Sequence, residues 1–187
     1  SLYFRDQPRP HAGEVEAELL RRRMQVEILS GDQPAAVQAF ARELPGVGAR
    51  GGLTPEDKLL RVRGSVARGE AAVMVGDGIN DAPALSGAAV AVTLGSGTDL
   101  ARDVADVTIL SGDLRRLPWL LDLAAATLRT ARLNLFWAFF YNGIGLALAV
   151  TGRLHPLFGA VAMIVSSLLV VLHSQRLRRT PLPGAAS

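Results

Sequence analysis

Cysteine is absent from this chain of 187 residues, and lysine occurs once. Without thiols, the chain itself can form no disulfide, no thiolate metal site and no cysteine nucleophile. The 20 basic side chains are all arginines except Lys58, the one compact and mobile ammonium group. Aromatic residues make up 5% of the chain and are not interleaved with the scattered arginines, so the net charge of +3 does not indicate nucleic-acid binding. These absences direct attention to carboxylates, hydroxyls and Lys58.

The first part of the chain alternates short apolar runs with amphipathic segments. This order predicts strands alternating with helices, which is typical of a parallel sheet in an α/β layer. The predicted strands cover residues 25–29, 71–75, 89–94 and 107–110, and the helices between them include 34–44, 55–68 and 80–87. Beyond residue 132 apolar residues dominate, in a chain that is 49% hydrophobic overall. The chain therefore divides into an α/β part and a strongly apolar part.

The most informative string is Val-Gly-Asp-Gly-Ile-Asn-Asp-Ala-Pro at residues 75–83. It follows a predicted buried strand and sets two carboxylates, Asp77 and Asp81, on a glycine-rich turn before a helix. Two acids at the carboxyl end of a parallel strand suit Mg²⁺, which takes oxygen ligands and often keeps a phosphate in its shell. The alternative is an acidic surface turn, which explains one Gly-Asp-Gly more readily than the whole string.

This string resembles the hinge motif of P-type ATPases, the ion pumps that pass through an aspartyl-phosphate. Three more segments resemble motifs of that family in the same order. Residues 30–32 (Ser-Gly-Asp) resemble its Thr-Gly-Asp, and residues 54–58 (Thr-Pro-Glu-Asp-Lys) resemble its phosphate-binding lysine segment. Residues 6–10 (Asp-Gln-Pro-Arg-Pro) resemble its Asp-x-x-Arg-Pro. The resemblance extends over nearly the whole chain.

The resemblance implies an α/β fold: part of a HAD-like (Rossmannoid) phosphorylation domain over residues 1–112. It implies that Asp77 ligates Mg²⁺ and that Asp81 also ligates it or orients the loop. Lys58 would neutralise phosphoryl oxygens and the Ser30 hydroxyl would bind them, with ATP as the phosphoryl donor of the intact pump. The cofactor-binding positions that it implies are Gly31, Asp32, Gly76, Gly78 and Asn80.

The apolar part predicts a two-helix transmembrane hairpin over residues 133–172. Residues 133–151 are long enough to cross a bilayer, and 157–172 form a second, slightly short stretch. Arginines flank both outer ends of the hairpin, so residues 1–132 and the basic tail 173–187 are expected in the cytoplasm. We expect the hairpin to lie in the lipid of a bacterial plasma membrane. Residues 113–132 are expected to form a connecting helix that couples the sheet to the membrane. The alternative is two buried helices of a soluble bundle.

Polar groups inside the predicted spans indicate an ion site. Tyr141 and Asn142 lie in the first span, and Met163 and Ser166 lie in the second. A thioether near a phenol and an amide suits a soft monovalent ion such as Cu⁺. The pattern resembles the copper(I)-transporting class of heavy-metal P-type ATPases, which implies that these four residues help to form the copper site. The alternative for serines in such helices is hydrogen bonding between helices.

Several family elements are missing from the sequence: the Asp-Lys-Thr-Gly-Thr phosphorylation motif, the nucleotide-binding insertion, the actuator loop and the Cys-Pro-Cys ion ligands. We therefore expect the chain to be a C-terminal piece of a copper(I) export pump, with the N-terminal part as its partner. The resemblance implies that the missing nucleophile strand lies between the strands that end at Ser30 and Gly76. The chain alone is expected to have low stability, because the missing strand leaves backbone groups unpaired, and to be inactive, because it lacks the acceptor aspartate.

Three other functions remain open from the sequence. The first is a pump for another heavy metal, such as zinc, cadmium or silver, although the zinc-type branch is expected to carry a charge in the last helix and 157–172 has none. The second is a membrane-anchored, non-catalytic HAD-like module. The third is a soluble phosphatase of the same superfold, which also needs the absent aspartate and leaves residues 133–172 unexplained.

Overall fold

The structure is a computed structural model, and it describes residues 9–76, 79–95, 103–152 and 156–175. The chain divides into two compact units, Ser1–Pro118 and Trp119–Ser187. The first unit contains all the described strands, and the second contains most of one long helix and the whole of another.

Helices and parallel strands alternate through the first unit, as the sequence predicts. The helices are α1 (Ala12–Arg21), α2 (Pro34–Ala41), α3 (Pro55–Ala67) and α4 (Ala82–Ser86), the last preceded by a 3₁₀ turn at Ile79–Asp81. The strands are β1 (Glu27–Leu29), β2 (Gly48–Arg50), β3 (Val73–Gly76), β4 (Val90–Leu94) and β5 (Val107–Ile109). Strand β2 was not predicted, because its Gly-Ala-Arg sequence carries neither an apolar run nor β-branched residues.

The described strands form two parallel sheets. In one, β1 pairs with β2, and in the other the order is β3-β4-β5. No ladder joins β1 to β3 within the described ranges. The prediction of a further strand between the strands ending at Ser30 and Gly76 stays a prediction. Strands β1 and β3 each end a sheet, so each has an edge whose backbone groups a further strand could pair.

The core lies on both faces of β4, because a central parallel strand is covered on both sides. Val92 is fully buried and packs in a cluster with Leu94 and Ile109, against Leu114 and Leu117.

On the opposite face of β4, Leu85 of α4 packs with Ala91. The partly buried Met74 and Val104 pack against this pair. Because Leu85 is a core residue, α4 and the turn before it are held against the sheet. This packing therefore fixes the position of Asp81, which directly precedes α4.

The second unit is helical. Its first helix, α5 (Arg116–Val150), is continuous over 35 residues and begins in the first unit, and its second, α6 (Pro156–Gln175), has 20 residues. Helix α5 is long and apolar enough to cross a membrane, by length and composition, and α6 contains the shorter apolar stretch Met163–Leu172. Many large apolar side chains of both helices are exposed, which is typical of helices that pack against lipid or further helices.

Candidate functional site

The loop after β1 brings Ser30 and Asp32 together. The Ser30 hydroxyl donates to Asp32 Oδ2 at 2.7 Å, and the Asp32 backbone N–H donates to Ser30 Oγ at 3.2 Å. The backbone of this loop also pairs with the segment after β2, since Gly52 N donates to Asp32 O and Leu53 N donates to Ser30 O. The loop that carries Ser30 is therefore held against the loop that leads into α3.

The start of α3 is closed by a capping box. The Asp57 N–H donates to Thr54 Oγ1 at 3.1 Å, and Asp57 Oδ2 accepts from the Thr54 N–H at 3.0 Å and hydroxyl at 2.8 Å. The hydrogen bond from the Thr54 side chain, followed by that from its backbone, lowers the pKa of Asp57, because both stabilise the carboxylate. The box satisfies orphan donors of the first turn and orients the residue that follows it, Lys58.

Lys58 forms an ion pair with Asp81. The distance from Lys58 Nζ to Asp81 Oδ1 is 2.8 Å, and the two side chains are 11% and 18% exposed. A buried ammonium group needs a charged partner, because its desolvation is otherwise costly. The pair joins two segments that lie 23 residues apart, the start of α3 and the turn before α4.

Asp81 lies against the end of β3 because residue 76 is glycine. A Cβ on Gly76 would lie 2.8 Å from Asp81 Cβ and 2.9 Å from Asp81 Oδ2, well inside normal contact distance. Any side chain at position 76 would therefore displace Asp81. This is a direct structural reason for the first glycine of the Gly-Asp-Gly string.

The remaining residues of the predicted magnesium site are only partly described. Asp77 and Gly78 lie outside the described residues, and Asn80 is exposed. Among the residues that the structure describes, no cluster of three His, Asp or Glu side chains could hold a metal ion. Asp81 lies beside Gly76, and Asp77 follows Gly76 directly in the sequence. Both carry carboxylate oxygens, which are the ligands that Mg²⁺ prefers.

Other predictions also fall outside the description. Of the motif at residues 6–10, positions 6–8 are not described, and neither are residues 176–187 of the predicted basic tail. Gly31 is described, and a Cβ there would lie 3.4 Å from Leu53 O, so the two loops approach closely at this point.

Within the described residues, the one hydrogen bond among the four predicted ion ligands of the helical unit joins Ser166 to Met163 on the same helix. Tyr141 is 39% exposed, Met163 is 68% exposed and Asn142 is exposed. Ser166 is half-buried, and its hydroxyl donates to the carbonyl of Met163 at 3.0 Å, within its own helix. Among the described side chains of this unit, no hydrogen bond or ring contact joins Tyr141 or Asn142 to α6.

Besides the ion pair of Lys58 with Asp81, a capping box and an aromatic stack were not predicted from the sequence, although each has a signal there. The capping box has a signal in the sequence, since Thr54 precedes Asp57 by three residues just before a helical segment. The second feature is a stack of Trp137 on Tyr141, with ring centroids 5.5 Å apart and planes 23° apart. Its signal is the spacing of four residues, which puts two side chains on one face of a helix.

The fold and the loop geometry define a HAD-like, Rossmannoid α/β domain, and residues 2–89 match the family of haloacid dehalogenase-like hydrolases. The chain is similar over most of its length to P-type ATPases. It is 40% identical over 178 residues to "Cation-transporting P-type ATPase B" of Mycobacterium bovis, covering 95% of this chain and 24% of that protein. It is also 40% identical over 159 residues to "Copper-exporting P-type ATPase" of Staphylococcus saprophyticus, covering 85% of this chain and 20% of that protein.

A solved structure agrees with these similarities. The crystal structure of a zinc-transporting PIB-type ATPase in the E2·Pi state superposes with a TM-score of 0.86 at 35% identity, covering 94% of this chain and 29% of that chain. This superposition includes the helical part as well as the HAD-like domain. The chain spans about a quarter or less of the length of the P-type ATPases it matches in sequence.

Proposed function

We propose that this chain supplies part of the phosphorylation domain and the last two membrane helices of a P-type ATPase that exports a heavy-metal ion, copper(I). The observation that carries the proposal is the ion pair between Lys58 and Asp81. It joins the lysine of one segment that resembles the family to the second carboxylate of another. The sequence similarity to "Cation-transporting" and "Copper-exporting" P-type ATPases supports the proposal.

Lys58 acts in this proposal as the positive charge that meets the transferred phosphoryl group. Asp81 holds the ammonium group at the carboxyl end of β3 until phosphoryl oxygens compete for it. The Ser30 hydroxyl can turn from Asp32 toward a phosphoryl oxygen, and the N–H groups of Gly31 and Asp32 are further donors. Gly76 is the last residue of β3, and Gly78 and Asn80 follow it. In the proposal Gly76 leaves room for Asp81, Gly78 lets the phosphoryl group approach the backbone, and Asn80 offers a polar side chain.

Magnesium fits the donors of this loop, with Asp77 and Asp81 as the ligands we propose. When bound, it would neutralise phosphoryl oxygens during transfer. In this role Asp81 has two oxygens for two partners, since Oδ1 faces Lys58 and Oδ2 lies beside Gly76. ATP is the phosphoryl donor in the proposal, and its acceptor aspartate is on the partner segment, because these 187 residues contain no Asp-Lys-Thr-Gly-Thr string.

The transported ion is the finer part of the proposal. Tyr141, Asn142, Met163 and Ser166 offer phenol, amide, thioether and hydroxyl groups, and a thioether favours a soft ion such as Cu⁺. Met163 is 68% exposed here, so it is available to a site completed by other membrane helices. The chain would then sit in the plasma membrane, with lipid around α5 and α6 and the HAD-like domain in the cytoplasm.

The catalytic part is tested by phosphorylation of the complete pump from radiolabelled ATP, followed by acid quench. We expect Asp77→Asn and Lys58→Met to lower the steady-state phosphoenzyme or its turnover at least a hundredfold, because each removes charge that faces the phosphoryl group. Glu56→Gln is the matched control, since Glu56 is an exposed carboxylate two residues from Lys58. Unchanged phosphorylation and turnover in both Asp77→Asn and Lys58→Met would refute the assigned roles.

The ion is tested separately by metal-stimulated ATP hydrolysis with Cu⁺, Ag⁺ and Zn²⁺. The copper proposal predicts that Cu⁺ stimulates ATP hydrolysis and that Met163→Leu lowers the apparent affinity for Cu⁺ at least tenfold. Leucine keeps the volume of the side chain and removes its sulfur. Stimulation by Zn²⁺ alone would refute copper as the transported ion, while the proposal of a heavy-metal pump would still stand. A parent protein that neither phosphorylates nor hydrolyses ATP would instead support the non-catalytic, membrane-anchored module.

A further inference from the structure

We infer that the hydrogen bond between Asn134 and Ser174 sets the register of α6 against α5 and thereby positions the residues of the ion site. This inference rests on the proposed function, because it concerns the depth at which the proposed ligands of the two helices meet. Asn134 and Ser174 are positioning residues in this account and do not bind the ion.

The hydrogen bond joins the two helices near one end. Asn134 Nδ2 donates to Ser174 Oγ at 3.2 Å, and both residues are half-buried, although most of their neighbours on α5 and α6 are exposed. The two residues are 40 positions apart in the chain. The turn that joins the helices follows Val150, at the other end of the hairpin. The bond therefore closes the open end of the hairpin.

Three hydroxyl hydrogen bonds and the aromatic contacts described for this unit each join residues close together in the chain. The hydroxyls of Thr127, Thr151 and Ser166 donate to carbonyls three or four residues earlier in their own helices. The aromatic stack that includes Trp137 and Tyr141 lies entirely on α5. These contacts restrict local side chains and do not fix one helix against the other.

The Asn134–Ser174 hydrogen bond fixes one level that α5 and α6 share, so the depth of other residues in each helix can be counted from it. Asn142 lies eight residues from Asn134, and Ser166 lies eight residues from Ser174 in the opposite chain direction. At 1.5 Å per residue, both lie about 12 Å from the bond along their helices. Tyr141 is seven residues from Asn134, nearly two whole turns, so it returns to about the same face of α5. The bond thus sets Asn142 and Ser166 at similar depth, and Met163, eleven residues from Ser174, lies about one helical turn further from the bond.

A polar pair can set register where apolar contacts cannot. The lipid-facing residues here are mostly Leu, Val and Phe, and their contacts change little when a helix slides by one turn. A slip would leave the amide of Asn134 and the hydroxyl of Ser174 without each other in a medium that offers few partners. A single buried Asn sets register in coiled coils for the same reason.

The register is tested without metal by the distance between two spin labels. The chain has no cysteine, so Leu128→Cys on α5 and Val161→Cys on α6 provide two unique labelling sites, both exposed. The label on α5 lies six residues from the bond, and the label on α6 lies thirteen residues from it in the opposite direction along the hairpin. The two labels are therefore about 28 Å apart along the helix axes. In lipid nanodiscs we expect Asn134→Ala and Ser174→Ala to broaden the distance distribution or to shift it by about 5 Å, one helical turn.

Two control variants accompany the alanine variants: one removes a hydroxyl elsewhere on α5, and the other exchanges the two bonded side chains. Thr127→Ala also deletes a hydroxyl from α5, but one bonded within its own helix, and it should leave the distance unchanged. The exchanged variant Asn134→Ser with Ser174→Asn keeps one amide and one hydroxyl at the contact, and it should restore the parent distribution. Rescue by exchange separates a specific hydrogen bond from a general loss of folding.

The positioning role is tested by Cu⁺ affinity in the complete pump. Each single alanine variant should bind Cu⁺ about three- to tenfold more weakly, because the metal then has to select a register that the bond no longer sets. The exchanged variant should recover the affinity. Unchanged label distances in both single variants would overturn the inference, and so would shifted distances with unchanged affinity. A parent pump that binds no Cu⁺ would overturn the proposed function instead, while the label distances would still test the register.

Discussion

Replacing Gly76 with alanine tests how closely the second carboxylate approaches β3. A Cβ at this position would lie 2.8 Å from Asp81 Cβ and 3.1 Å from Asp81 Cγ. Carbon atoms pack at about 3.5 to 4.0 Å, so Asp81 would have to move by roughly 1 Å. Its Cβ cannot swing away as the tip of a flexible chain can. The whole turn before α4 would therefore shift, and with it the partner of Lys58.

The expected cost combines two effects. Forcing a methyl group into a packed site typically costs about 1 to 3 kcal/mol. Weakening a hydrogen bond to a charged group adds about 1.5 to 3 kcal/mol. Alanine also restricts the unfolded chain, which offsets about 0.5 to 1 kcal/mol. We therefore expect Gly76→Ala to destabilise the region around β3 by about 2 to 4 kcal/mol.

Amide hydrogen exchange of the chain in detergent micelles measures this effect locally. A loss of about 2 to 4 kcal/mol corresponds to exchange roughly thirty- to several-hundredfold faster in peptides from β3 and α3. Gly64→Ala is the matched control, because a Cβ there would meet only Arg68 Nη1, at 3.6 Å. In the interior of α3 that change should slow exchange, since alanine favours the helix by about 0.5 to 1 kcal/mol.

A second variant shows whether the contact with Asp81 is the cause. In an Asp81→Gly background the clashing atoms are gone, so Gly76→Ala should cost much less than it does alone. If Gly76→Ala exchanged as slowly as the parent, the close approach of Asp81 to β3 would be refuted. If its cost were the same in both backgrounds, the explanation through Asp81 would be wrong.

Three further predictions concern the segment that leads into α3. Gly51→Ala should destabilise the first unit by about 1 to 3 kcal/mol in hydrogen exchange, since its Cβ would lie 2.7 Å from Pro34 Cα and 2.8 Å from Asp32 O; exchange as slow as in the parent would contradict this packing. Thr54→Ala should speed exchange in the first turn of α3 by a factor of about two to thirty, because the cap is lost, and an unchanged rate would argue against the capping box. The pKa of Asp57 is lowered on folding, so its contribution is present above the ordinary carboxyl pKa and is lost as pH falls through the lowered value. Acid titration of α3 helicity should therefore flatten in Asp57→Asn, and identical acid titrations would refute this linkage.

Much of the α/β domain was predictable because its signals are local. Apolar runs predicted every end of β1, β3, β4 and β5 to within two residues, and Pro83 indicated the first turn of α4. Strand β2 was missed, because three residues with one methyl and one arginine side chain carry no strand signal. It forms because its backbone pairs with β1 in register, Glu27 against Gly48. That is a long-range effect, and local propensity does not report it.

The site was predictable in its residues but not in its contacts. The family resemblance singled out Lys58 and Asp81 separately, and it implied different partners for them: phosphoryl oxygens for Lys58 and magnesium for Asp81. Their 2.8 Å ion pair depends on how α3 and α4 pack, which no short motif specifies. The hydrogen bond between Asn134 and Ser174 was likewise absent from the sequence reasoning, since it requires the depth at which two helices meet.

By itself the sequence determined which chemical groups are available, because composition and spacing are properties of the chain alone. It set a single lysine, the carboxylates of the Gly-Asp-Gly-Ile-Asn-Asp string and an apolar part long enough for membrane helices. The tertiary structure alone decided which groups meet. Gly76 leaves room for Asp81, Asp81 pairs with Lys58, and Asn134 reaches Ser174, because side chains distant in sequence come within hydrogen-bond range only when the elements that carry them pack together.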